Sequence, residues 1–218
     1  DLGGFNNAIK LACTTADTSI ASNEWEYIAY NIEAQDVQRL KFGTSDANKF
    51  TLSFFVKGNA SATYTLGAYS VDSNRWMAQT FSVTTSFTRV SLTWEADTTG
   101  TIDDDNGPGL VFYITLQAGS DKTSGSIPST WETFAPADTA DSGQTQFFDS
   151  TSRTLFITGV QMEIGEVATP FEHRSFGDEL AACERYYQIA APLAGSGNST
   201  NFKTSVSFKT AMRAQPTL

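Results

Sequence analysis

Four short stretches, Thr51-Leu-Ser-Phe-Phe-Val56, Tyr64-Thr-Leu-Gly-Ala-Tyr69, Gln79-Thr-Phe-Ser-Val83 and Thr88-Arg-Val-Ser-Leu-Thr-Trp94, follow one another closely in this chain. Each is rich in β-branched and aromatic residues and alternates between larger apolar and smaller or polar side chains, the period of a strand and not of a helix. In the first, Leu52, Phe54 and Val56 share one face with Phe50 just before it, while Phe55 falls on the other. That pattern predicts a central strand half-covered on its second face. Gly58-Asn59 and Asp72-Ser-Asn74 supply the turns between neighbours.

Working outward, the same period marks further candidate strands at Ile9–Thr14, Trp25–Glu33, Val37–Phe42, Gly109–Gln117 and Leu155–Ile164. Gly43-Thr-Ser-Asp46 and Asp103-Asp-Asp-Asn-Gly107 punctuate them. Evenly spaced short strands with polar turns predict an all-β fold, an antiparallel jelly-roll β-sandwich over residues 1–170. Residues 119–154 read as a long polar loop containing Pro128, Trp131, Pro136 and Gly143. A loop of that length in a compact domain is usually functional or held by a partner.

Beyond the sandwich the physics changes. Pro170 disfavours an α conformation at Thr169, which predicts an extended hinge. Ser175 with Asp178 three residues on then opens a short helix to residue 188, so residues 171–190 form the hinge and helix. A helix of fewer than four turns does not stand alone in water. Phe176, Leu180, Cys183 and Tyr187 are therefore expected to be covered, either by the chain's own sandwich or by copies around a symmetry axis. Residues 191–218 read as a Gly/Ser linker, then the first strand of a further, truncated β domain at Asn201–Met212, where Phe202, Thr204, Val206 and Phe208 alternate with polar residues. The start at Asp1 without Met reads as a piece of something longer.

The chain's 218 residues suffice for one large β domain with an appendage, and its net charge of −10 argues against nucleic acid as a partner. No run of eighteen apolar residues predicts a membrane span, and no basic-then-apolar start marks a signal peptide. Cys13 and Cys183 read as buried free thiols, with a disulfide as the alternative.

Catalysis finds little to use. The single histidine, His173, lies among charges in the hinge, and no nucleophile elbow, zinc helix or phosphate loop occurs. With 24 Asp and Glu, carboxylate pairs arise by chance, and no motif selects one for glycoside hydrolysis. The reading is a protein that is not an enzyme, with a glycan-degrading enzyme or its accessory module as the least favoured alternative.

Binding has better candidates. Sugars present apolar C–H faces to aromatic rings and hydroxyls to amide and charged side chains. Trp76 beside Asn74 and Arg75, Trp25 beside Glu24 and Tyr27, and Trp131 beside Glu132 have that chemistry near strand ends or in the long loop. In a sandwich most such rings are core, so each is weighed against that role. Asp103, Asp104 and Asp105 make an acidic turn whose spacing to Gly107 does not fit an EF-hand.

Two resemblances add context. The run Gly159-Val-Gln-Met-Glu-Ile-Gly-Glu-Val-Ala-Thr-Pro-Phe-Glu-His-Arg-Ser-Phe-Gly-Asp-Glu-Leu-Ala-Ala-Cys-Glu-Arg-Tyr-Tyr187 resembles the end of jelly-roll modules in bacteriophage tail-fibre, tail-associated and head-decorating proteins. The stretch from Thr51 to Trp94 resembles carbohydrate-binding-module jelly rolls. Together these imply a virion protein of the tail or capsid surface, a homotrimer bound to other virion proteins, displaying its sandwich to host-surface glycans. A purely structural decorating or tail-joining role is the alternative. They also imply no cofactor beyond a structural calcium, with Glu163 at the position of an acidic ligand.

Overall fold

The computed structural model describes residues 4–189, 196–197, 202–203 and 208–214. The chain divides into two compact units, Asp1–Phe171 and Glu172–Leu218.

The first unit is the expected all-β antiparallel sandwich. With strands numbered in chain order, one sheet places β1 (Ile9–Ala12), β9 (Thr154–Ile164), β3 (Phe50–Gly58) and β6 (Thr88–Trp94) side by side in that order. The other places β2 (Trp25–Glu33), β7 (Pro108–Ala118), β4 (Ala62–Ser70), β5 (Arg75–Val83) and the two-residue β8 (Glu132–Thr133) in that order. All neighbours in both sheets pair antiparallel. The alternation that predicts the strands also builds the core. Phe50, Leu52, Phe54 and Val56 of β3 are buried, as are Tyr64, Leu66 and Ala68 of β4 and Leu110, Phe112 and Leu116 of β7. Phe50 stacks on Trp94 with ring centroids 5.4 Å apart. Each such large apolar side chain contributes about 1.5–3 kcal/mol by leaving water.

The candidate strand at Val37–Phe42 is a correction. Residues Ala34–Leu40 form a 3-10 helix that buries Ala34, Val37 and Leu40, a spacing of three and not two. Lys41 ends it in the left-handed region, with φ 54°.

Residues 119–154 hold one helical turn, α1 (Ser120–Thr123), the strand β8 and two short 3-10 turns. The segment lies against the second sheet. Pro128 accepts a hydrogen bond from the Ala78 amide at 3.0 Å and Thr63 accepts one from the Thr145 amide at 2.7 Å. Thr65 is held at both ends: its amide donates to Gln144 Oε1 at 3.2 Å, and its hydroxyl accepts from the Asp141 amide at 3.0 Å. With β8 paired to β5, the segment also covers an edge that would otherwise expose unpaired backbone groups.

On the outer face of the first sheet, residues 165–171 form a strap and not a free hinge. Arg89 donates to the Thr169 carbonyl and to Ser53 Oγ, and Glu163 Oε2 accepts from the Thr169 amide at 3.0 Å. The Phe5 ring sits 5.7 Å from that of Phe55 and 4.7 Å from that of Phe171. Gly159, with φ 60°, makes room: a Cβ there would lie 2.4 Å from the Phe5 ring. Thr51 and Ser53 on this face of β3 are buried, which is the half-cover expected of that strand.

In the second unit, α2 (Phe176–Glu184) starts at the expected cap, with Ser175 Oγ accepting from the Asp178 amide at 3.2 Å, but ends earlier than residue 188. The tail returns to it: Arg185 O accepts from the Arg213 amide at 3.0 Å, and Gln188 Nε2 donates to Thr210 O at 2.9 Å. Ser196–Gly197 and Phe202–Lys203 form a small antiparallel pair, β10 and β11. Of the strand expected at Asn201–Met212, Phe202–Lys203 is extended, 208–212 is not in a strand, and the rest lies outside the described residues, as does most of the linker. Among the described residues no helix is long and apolar enough to cross a membrane.

Candidate functional site

On β7, Leu110, Phe112 and Leu116 turn inward to the core, which sends Tyr113 and Thr115 to the opposite face of the sheet. On β4 the same parity sends Gly67 and Tyr69 outward, and on β2 it sends Trp25, Tyr27, Ala29 and Asn31 outward. Pairing then brings rings from separate strands together. Trp25 and Tyr27 have centroids 4.4 Å apart, and Tyr113 lies 5.1 Å from Trp25 and 4.9 Å from Tyr27. Beyond Tyr113 the line continues through Trp76 at 6.0 Å to Phe134 at 5.6 Å and Tyr69 at 6.5 Å from Trp76. The result is a strip of rings running across β2, β7, β4 and β5.

The strip is partly open to water. Tyr27 is 44 % exposed, and Trp25, Tyr69, Tyr113 and Phe134 are half-buried. Ala29 pairs with Tyr113, so a small, exposed side chain leaves the floor beside that ring unobstructed. Polar groups stand along it. Trp25 Nε1 donates to Thr115 Oγ1 at 3.1 Å, Tyr69 donates to Asn74 Oδ1 at 2.9 Å, and Lys122 Nζ lies 5.8 Å from the Trp25 ring centre. Burial, and then the neighbouring Tyr27 and Tyr69 phenols, push the Tyr113 phenol up, keeping it a protonated hydrogen-bond donor.

Trp76, in the middle of this line, is closed off from solvent. Trp76 is 1 % exposed and donates its indole N–H to the Asp138 carbonyl at 3.1 Å. Its ring lies over Gly67, where a Cβ would come within 1.8 Å of the indole. The expectation that Trp76 stacks on a ligand is therefore corrected: the long segment covers it, and its ring packs beside those of Tyr69, Tyr113 and Phe134. Trp131 is corrected likewise. It is buried, donates to the Glu95 carbonyl at 2.6 Å and packs edge-on against Phe42 at 5.2 Å.

Arg75 is also a framework residue. Its Nε meets Asp97 Oδ2 at 2.5 Å and its Nη2 meets the Trp131 carbonyl at 2.5 Å, while Asp97 accepts from the Thr99 and Gly100 amides. Asn74, exposed in the left-handed region at φ 52°, stays at the rim through Tyr69. Of the candidates read from sequence, Trp25, Tyr27 and Asn74 lie at the strip. Tyr113, Tyr69 and Phe134 join them without having been singled out. Tyr69 alternates out of step with the inward residues of its own strand, whereas the outward direction of Tyr113 shows only once the core face of β7 is fixed.

The other candidates lie elsewhere. Glu163 has both carboxylate oxygens engaged by Thr169, through its amide and its hydroxyl. Burial opposes the shift, but hydrogen bonds from Thr169 and Gln161 and the charge of Arg89 hold this carboxyl below its ordinary value. Among the described residues no three His, Cys, Asp or Glu side chains gather as a metal site. On α2, Phe176 is 81 % exposed, Leu180 42 % and Tyr187, just beyond it, 73 %, and Cys183 is an exposed free thiol. The expected burial of Cys183 is thus corrected, whereas Cys13 is a buried free thiol as expected.

No family model and no curated protein matches this sequence. Among solved structures, a carbohydrate-binding module, CBM4, is similar at 14% identity, covering 71% of this chain and 94% of that chain with a TM-score of 0.35. The likeness is a distant one.

Proposed function

We propose that the sandwich binds carbohydrate on the outer face of its five-stranded sheet, and that it does so as a displayed module of a phage virion. The observation that carries the first part is the strip of partly exposed rings Trp25, Tyr27, Tyr113 and Tyr69, flanked by Asn74 and Lys122. Such rings offer flat apolar surface with hydrogen-bonding groups at their edges, the combination that takes the C–H face of a sugar and meets its hydroxyls. The mode is binding without turnover. What supports the virion context is the resemblance of residues 159–187 to phage fibre and decoration modules.

The test is a glycan array followed by affinity measurement on the hit. Tyr27→Ala and Trp25→Ala are expected to lose at least about tenfold in affinity, as central aromatic anchors usually do, while melting near the wild type. Loss of fold in either variant, or unchanged affinity in both, overturns the assignment of the site.

The exposed Phe176, Leu180 and Tyr187 side chains of the second unit favour a companion reading, in which copies of this chain associate through α2 as a homotrimer. Avidity would then multiply a weak single-site affinity.

A further inference from the structure

We propose that the outer face of the four-stranded sheet, on the opposite side of the sandwich from the aromatic strip, carries a second binding surface, for an anionic polysaccharide bearing carboxylates. One register row crosses this sheet. Lys10 of β1 pairs with Phe156 of β9, and Phe156 pairs with Lys57 of β3. Val56 pairs with Thr88, which sets Phe87 beside Lys57 at the start of β6. The row therefore reads Lys, Phe, Lys, Phe. Lys10 Nζ lies 5.7 Å from the Phe156 ring centre, and Lys57 Nζ lies 5.0 Å from Phe156 and 5.2 Å from Phe87. The two rings are 6.3 Å apart and half-buried.

Three features distinguish this row from ordinary surface. First, among the described residues no ion pair joins Lys10 or Lys57 to a carboxylate, although the chain has 24 Asp and Glu against 14 Lys and Arg. Second, a lysine on a sheet often protects an edge, but β3 lies between β9 and β6, so Lys57 protects none. Third, cation–π attraction draws two ammonium groups to one ring, Phe156, from strands roughly 10 Å apart at ordinary strand spacing.

The chemistry selects the occupant. Two cations on a chain of net charge −10 are too few to hold a nucleic-acid backbone. A peptide that adds to a sheet needs a free edge, and the centre of this row lies on interior strands. A polysaccharide whose residues carry carboxylates matches the alternation, with apolar sugar faces on Phe156 and Phe87 and carboxylates on Lys10 and Lys57. This surface does not depend on the strip assigned above.

The experiment is affinity gel electrophoresis with polygalacturonate entrapped in the gel and uncharged dextran as the control. Wild-type protein is expected to be retarded by polygalacturonate, and less so as salt rises. The double variant K10Q/K57Q should lose at least tenfold in retardation, K10R/K57R should retain it, and W25A/Y27A should behave as wild type. Unchanged wild-type mobility overturns the proposal, as does equal retardation of K10Q/K57Q. Retardation lost in W25A/Y27A assigns the effect to the other sheet and also overturns it. If K10Q/K57Q instead shifts the mass seen by light scattering, with no polygalacturonate effect in the wild type, the occupant is a second copy and the proposal falls.

Discussion

Residues 119–154 contain one helical turn, a two-residue strand and two short 3-10 turns, yet Trp131, Ala140 and Phe147 within them are buried. Residues Phe176–Glu184 form a regular helix, yet none of them is buried. The difference shows that regular backbone and immobilised backbone are separate properties. The long segment satisfies its amides and carbonyls against β4 and β5 and anchors itself with rings, whereas the helix satisfies its backbone largely within itself and leaves its apolar side chains Phe176 and Leu180 exposed. One is held by tertiary structure, and the other is a surface.

The sharpest way to break this contrast is Trp76→Ala. It removes a buried indole and its hydrogen bond to Asp138, and the expected cost is about 3–5 kcal/mol, read as a lower midpoint in urea unfolding. A midpoint near the wild type would mean that the segment does not depend on this anchor. A smaller effect is expected from Asp97→Ala. The Asp97 side chain is 1% exposed and its Arg75 partner 16%, so the change strands a largely buried guanidinium beside the Trp131 carbonyl. The loss should be about 3 kcal/mol, and a double-mutant cycle with Arg75→Ala should recover part of it. The smallest effect is expected on the helix. Phe176→Ser and Leu180→Ala should leave the sandwich transition within about 0.5 kcal/mol of the wild type, as exposed substitutions do. The same pair should reduce a trimer to monomers in light scattering. A wild type that is already monomeric at high concentration removes the assembly reading.

Sequence carried the sandwich well because one face of each strand must be apolar, and period two is visible without knowing the partner strand. Trp25–Glu33 and Thr88–Trp94 coincide with their predicted bounds. The helix start was legible because Ser175 and Asp178 satisfy each other locally. The strand expected at Val37–Phe42 gives way to the 3-10 helix Ala34–Leu40; the three-residue spacing of Val37 and Leu40, next to Phe42, looks strand-like over so short a run. The candidate site was legible in part. Trp25 and Tyr27 lie on a strand whose outward face stays open, whereas the burial of Trp76 depends on Asp138, 62 positions away. Only tertiary structure brings that cover to it. Tyr113 belongs to a strand that reads as almost wholly apolar, and its outward direction emerges only once the core face is fixed.

Phe5 and Phe171, near the two ends of the first unit, touch rings across one face of the four-stranded sheet. A fold that enters and leaves at the same place is portable. It can be cut out and set into a surface loop of an unrelated scaffold with closely spaced ends, at little loop-closure cost and without a spanning linker. Such a graft would carry its ring strip on the far side of the sandwich, turned away from the host scaffold.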